Sequence, residues 1–201
     1  MDELREKICL SLCDLTGVAS NPWRNTHRVI CADIQSGNNV VLDELSTLLH
    51  GGDHLDVDVI IAQPPCTHFA LSGARWWEGK GEEAILEGLQ VVDACFRIAF
   101  ICKPRVFMLE QPVGRLIRWI GQPRMRAHPW EFAGYADDPS SEGYTKKTCI
   151  FGEFNIPDKK PWEGIIDRKK IHYASPGKSR RNIRSAAPQG MWRALHQSNK
   201  G

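Results

Sequence analysis

The apolar residues of this chain fall in short, nearly unbroken runs rather than in alternation. "KICLSLCDLTG", "HRVICAD", "VDVIIAQPP" and "RVFMLEQP" each carry an apolar stretch and then stop on an acid, a proline or a glycine turn. "NVVLDEL" and the later "TCIFGEF" read as strands of the same kind. Runs without alternation predict strands covered on both faces. From 82 to 102, "EEAILEGLQVVDACFRIAFIC" spaces its apolar positions as a helix does, over several turns. "GMWRALHQ" predicts a closing helix near the end. Strands interleaved with helices predict an α/β fold built on a mostly parallel sheet flanked by helices.

In such sheets ligands bind beyond the carboxyl ends of the strands. Asp14, Asp33, Cys66 and Glu110 each stand at or just past the end of a predicted strand. If the strands are parallel, the four side chains share one rim. The abrupt stop at Pro64-Pro65 holds the backbone stiffly just before Cys66.

Composition narrows this picture only modestly. The chain has 201 residues, which predicts a single domain over 1–201. Hydrophobic residues make up 42% and charged residues 25%, ordinary for a globular protein. A net charge of +2 permits a polyanionic partner without arguing for one. The 7 cysteines form no CxxC pair, and several lie inside apolar runs, so reduced core thiols fit better than a disulfide frame or a metal site. The charged start "MDELREK" has no apolar signal core, and no apolar stretch approaches bilayer length; a cytoplasmic location without membrane contact is expected. Residues 168–190, including "KSRRNIR", are basic and rich in Ser, Gly and Pro, and predict a surface segment. "GYADDPSSEGYTKK" is a second loop-like region.

Each candidate residue has a functional reading and a plainer one. Cys66, just past a strand at a possible helix start, is placed for a lowered pKa and a nucleophilic role; a lone cysteine is otherwise a small buried hydrophobe. Glu110 ends an apolar run, where partial burial would let it share a proton with a bound ring nitrogen; otherwise it pairs with a cation such as Arg115. An acid after the second strand of a dinucleotide-type fold often bonds ribose hydroxyls, which suits Asp33, though a turn role serves it equally. Asp14 reads as a cofactor-turn residue or a cap.

The combination is more specific than its parts, and it resembles the cytosine-C5 DNA methyltransferases, particularly their short phage-type members. "DVIIAQPPCTHFALSG" resembles the family's Pro-Cys motif, with its tail on Phe69, Leu71, Ser72 and Gly73. "FMLEQPVGRL" resembles its Glu-Asn-Val motif, with Gln111-Pro112-Val113 in place of Asn-Val. "LSLCDLTG" and "ADIQ" stand where the family has its cofactor turn and its ribose-binding acid. The order and spacing agree over residues 8 to 120.

The resemblance implies a Rossmann-like class I methyltransferase fold and methyl transfer from S-adenosylmethionine to C5 of cytosine in DNA. Cys66 would attack C6, Glu110 would hold N3 and the exocyclic amine, and Lys147 in "GYTKKTCIFG" would stand for the first arginine of a later motif. Asp14, Leu15, Thr16, Gly17, Asp33, Ile34, Gln63 and Pro64 would bind the cofactor. The segment "SGARWWEGKGEE" would close over a base turned out of the stack. Arg75 and Lys80 would meet phosphates there, and Trp76 and Trp77 would stack or wedge or else pack under the segment as a lid. "RSAAPQGMWRALHQ" would be the last motif.

The pattern also departs from the family. Roughly forty residues separate Lys147 from Ser185, less than a usual domain, so a separate recognition domain is missing. "DLTGVASNPW" has one glycine where the Gly-rich loop has three, which leaves a related one-carbon donor open. The alternatives are therefore the same chemistry on a free pyrimidine nucleotide or RNA, and an inactive nucleic-acid-binding relative. No metal is implied, and the sequence leaves target site and oligomeric state open.

Overall fold

A computed structural model describes residues 6–170 and 187–201. The predicted basic segment therefore lies largely outside the described residues. The protein is α/β, with a six-stranded, mostly parallel sheet in the order β2-β1-β3-β4-β6-β5. The strands are β1 (Ile8–Leu12), β2 (Arg28–Ala32), β3 (Val57–Ala62), β4 (Val106–Pro112), β5 (Met125–Ala127) and β6 (Thr148–Glu153). The helices are α1 (Leu45–Leu48), α2 (Trp77–Cys102), α3 (Ile117–Ile120) and α4 (Gln189–Asn199).

The chain divides into two compact units, Met1–Met125 with Cys149–Phe154 and Arg126–Thr148 with Asn155–Gly201. In the first unit, β1 pairs in parallel with β2 and β3, and β3 with β4. β1 is buried along its whole length, and β3 nearly so, as expected for strands covered on both faces. Leu10, Leu12, Ile60, Val92, Cys95, Ile98 and Leu109 lie in one core cluster, which joins α2 to the sheet.

α2 begins earlier than its apolar pattern, at Trp77, and is interrupted at Gly81 (φ 70°, ψ −174°). Those angles suit glycine and leave the helical region. The apolar pattern marks the uninterrupted part alone.

"NVVLDEL" is not a strand. Asn39 Oδ1 accepts from the Val41 N–H at 3.0 Å, and Asp43 Oδ2 accepts from the Asn39 N–H at 2.7 Å. These local side-chain bonds compete with a ladder, so the segment turns and runs into α1. Val40 is buried while Leu42 is 78% exposed.

In the second unit, α4 rests on the turn Pro129–Tyr135, where Gly190 is required: a Cβ there would meet the Phe132 carbonyl oxygen at 2.3 Å. The buried Glu142 accepts from the Gly190 N–H at 2.9 Å at the start of α4. Burial holds its carboxyl above the ordinary carboxylate range. Asp137 pairs with Arg193 at 2.7 Å on the same helix. No helix among the described residues is long and apolar enough to cross a membrane.

Candidate functional site

The sheet register places most of the predicted residues. Leu12 lies opposite Ala32 on one side and Ala62 on the other, and Ala62 lies opposite Leu109. These four residues form a row across β2, β1, β3 and β4. Asp33, Gln63 and Glu110 each follow that row by one residue, Asp14 by two and Cys66 by four. All therefore gather at the carboxyl rim. β1 has β2 on one side and β3 on the other, so the rim between β1 and β3 is a topological switch point, where open α/β sheets bind ligands.

Asp14 builds the turn after β1. It is 3% exposed, and its Oδ1 accepts from the N–H groups of Thr16 and Gly17 at 3.1 and 2.8 Å. Its Oδ2 accepts from the Ser11 hydroxyl at 2.8 Å. Gly17 takes a left-handed φ of 66° to complete the turn. Both oxygens of Asp14 are thus engaged in shaping the loop. Leu15 and Thr16 point out from it, exposed. Asp33 caps the turn Ile34–Ser36, accepting from the Gln35 N–H at 2.8 Å through Oδ1. Ile34 is 71% exposed on the same rim.

Cys66 and Glu110 are both half-buried. The carbonyl of Cys66 accepts from the Phe69 and Ala70 N–H groups at 3.0 and 2.9 Å, which folds residues 66–70 into a compact loop. A series of bonds fastens this loop to the end of β4. The Gln111 side-chain amide donates to the Pro64 carbonyl. The Leu71 N–H donates to the Val113 carbonyl at 2.9 Å, and the Arg115 N–H to the Phe69 carbonyl at 2.9 Å. Arg115 Nε donates to the His68 carbonyl at 2.8 Å. Gly114 permits this approach, since a Cβ there would lie 1.9 Å from the Phe69 oxygen.

Gln111 and Arg115 connect the cysteine loop to the glutamate strand, and their sequence shows no sign of it. Each reaches across 47 residues to a backbone carbonyl. Arg115 is 8% exposed, and its guanidinium lies 4.7 Å from the Trp77 ring. Burial, and then the neighbouring Arg118 charge, lowers its pKa. Around the loop, Gln111 Oε1, Arg115 Nη2, His68 Nδ1 and Trp77 Nε1 are buried without a hydrogen-bond partner. Such orphaned buried polar atoms are uncommon.

Arg75 and Trp76 are exposed beyond the loop, with the guanidinium 4.9 Å from the indole ring. Lys80 donates to the Thr67 carbonyl at 2.8 Å, so in this conformation it steadies the cysteine loop. Lys147 belongs to the second unit, exposed immediately before β6. Burial lowers the His128 pKa; Glu131 opposes this, and the Lys147 charge adds to the lowering. Among the described residues no group of His, Cys, Asp and Glu is arranged to hold a metal ion.

Cys9, Cys95 and Cys102 are buried core thiols. Cys9 and Cys95 are fully buried with raised pKa values, Cys9 through burial and Cys95 through a hydrogen bond with Cys13 and burial. Burial pushes Cys102 up to about 11.

The fold is α/β, with a mostly parallel sheet and a strand switch point between β1 and β3. No protein-family model matches the chain, and no curated protein matches it.

Proposed function

We propose that the protein is a Rossmann-like methyltransferase that transfers a methyl group from S-adenosylmethionine to C5 of cytosine in DNA. The observation that carries this reading is the placement of Cys66 past the end of β3 and of Glu110 just beyond the stretch of β4 that pairs with β3, with their segments bonded together through Gln111 and Pro64. A thiol and a carboxyl on one rim suit a reaction that needs a nucleophile on one ring atom and a proton source on another.

The residues of the switch point fit the cofactor. Gly17 closes the turn after β1 at the rim, and Asp33 commits only Oδ1 among the described residues, leaving Oδ2 to accept from a ribose hydroxyl. Leu15 and Ile34, 54% and 71% exposed, offer apolar surface beside it. When bound, the cofactor supplies an electrophilic methyl group.

In the proposed reaction, Cys66 Sγ adds to C6 as the C5–C6 double bond opens. Glu110 donates a proton at N3, which neutralises the charge that the ring takes up. C5 takes the methyl, loses its own proton to a base, and elimination restores the double bond. The thiolate leaves C6 and N3 returns its proton to Glu110. On duplex DNA the base must first leave the stack.

DNA carrying 5-fluorocytosine has no C5 proton to lose, so the adduct persists. With S-adenosylmethionine present, a denaturation-resistant protein–DNA adduct mapping to Cys66 by mass spectrometry is expected. An adduct that forms equally in Cys66→Ala overturns the mechanism.

A further inference from the structure

The first unit carries an exposed aromatic and cationic surface beside the cysteine loop. Trp76 is 59% exposed, Trp119 42% and Leu71 58%, while Arg75 and Arg118 are exposed next to the two indoles. Two tryptophans left this open are unusual, because an indole is a large apolar group that normally packs away.

The fold brings the two segments together in a definite way. Leu71 is bonded to Val113, and the Ala70 and Gly114 backbones bridge in antiparallel fashion. Arg115 lies over Trp77, the neighbour of Trp76, and stands in the turn that leads into α3, which carries Trp119. The Trp119 ring also meets the buried Phe69 ring edge-on at 6.0 Å, inside the loop that begins at Cys66. The Trp119 indole is thereby packed against the loop that begins at the proposed reacting thiol, and Trp76 adjoins Trp77, which Arg115 ties to that loop.

We propose that Trp76 and Trp119, with Arg75 and Arg118, form a stacking platform for an unpaired DNA strand, so that the substrate is single-stranded. The inference rests on the reading of Cys66 as the nucleophile of a DNA-modifying enzyme. Indoles gain from stacking only against ring faces, and a duplex keeps its base faces turned inward. An unpaired strand presents them. Arginines beside each indole match phosphates on either side of a stacked base. Single-strand recognition also needs no groove-reading domain, in keeping with the short interval between Lys147 and Ser185.

The test is fluorescence anisotropy with labelled oligothymidine, which has no cytosine, against an A·T duplex of equal length. Methyl transfer to cytosine-containing DNA is measured separately. Wild type is expected to bind the single strand at least about tenfold more tightly than the duplex. Trp76→Ala and Trp119→Ala should each lose about tenfold, with Trp76→Phe and Trp119→Phe recovering most of it. Among the described residues the Trp76 ring meets only Arg75 in a ring contact, so its variant keeps the test valid if Trp119→Ala fails to fold. Arg118→Ala should weaken single-strand binding and flatten its salt dependence.

Duplex binding as tight as single-strand binding, or indole variants that bind like wild type, overturns the platform. Tighter binding of oligouridine than of oligothymidine overturns the assignment to DNA. Methyl transfer alongside duplex preference rejects the platform and leaves the reaction standing. Indole-dependent single-strand binding without methyl transfer supports the platform and rejects the reaction.

Discussion

A methyl group at position 114 would collide with the Phe69 carbonyl oxygen, 1.9 Å from the ideal Cβ. Backbone cannot yield as a flexible side chain can, so Gly114→Ala must push the cysteine loop away from β4. Overpacking of this kind costs about 1–3 kcal/mol. Gly114→Ala is therefore expected to lower stability by that amount in a denaturant titration, and to lower methyl transfer further than the lost folded fraction accounts for. Unchanged activity at full occupancy of the fold would show that the loop position is unimportant. Cys66 and Glu110 were legible in the sequence because each ends an apolar run, and a proline pair or an acid marks such an end. Gln111, Gly114 and Arg115 were not. Their partners are carbonyls far along the chain, and no spacing records a bond to a backbone oxygen. Asp14 was legible as a rim residue, and both of its oxygens shape the turn after β1.

At the scale of elements, register explains why the rim assembles, since parallel strands starting in step end in step. A polar network holds the opposite ends. Asp58, beside the start of β3, accepts from Arg105 Nη2 at 2.8 Å and approaches His27 Nε2 at 3.0 Å. Burial pushes the Asp58 carboxyl up, but the hydrogen bonds from Arg105 and His27 outweigh it and hold the pKa below the ordinary value. A depressed carboxyl stabilises the fold above its unfolded pKa, and that stability is lost as pH falls through the folded pKa. Wild type should therefore lose stability as pH drops below about 4. Asp58→Asn should be about 1–2 kcal/mol less stable near neutral pH and should show a shallower acid decline. Thermal unfolding across pH 3 to 7 checks both; parallel curves for the two proteins would contradict the role given to Asp58. Apolar runs predicted five of the six strands among the described residues, most strongly where both faces are buried, as in β1 and β3. β5 is only three residues long and carries too little pattern. "NVVLDEL" had the pattern but lost the strand to Asn39 and Asp43, whose side chains satisfy the local backbone instead.

For the whole molecule, the sequence predicted a mostly parallel α/β sheet, and that is what forms. The division into two units had no trace in composition, because the chain leaves the first at Met125, returns for Cys149–Phe154 and leaves again. Sequence-local signals do not report such a path. The proposed reaction draws on the first unit, which carries the switch point, the thiol, the carboxyl and the exposed indoles, while Lys147 lies in the second. The most direct measurement is transfer of a radiolabelled methyl from S-adenosylmethionine to cytosine-containing DNA, with single-stranded and duplex forms offered side by side and Cys66→Ala beside wild type. The account predicts label at C5 of cytosine with wild type and a loss of at least about a thousandfold without the thiol, the scale on which nucleophile removal acts. Folded wild-type protein that binds the cofactor yet leaves DNA unlabelled, or Cys66→Ala that labels as fast as wild type, would contradict it.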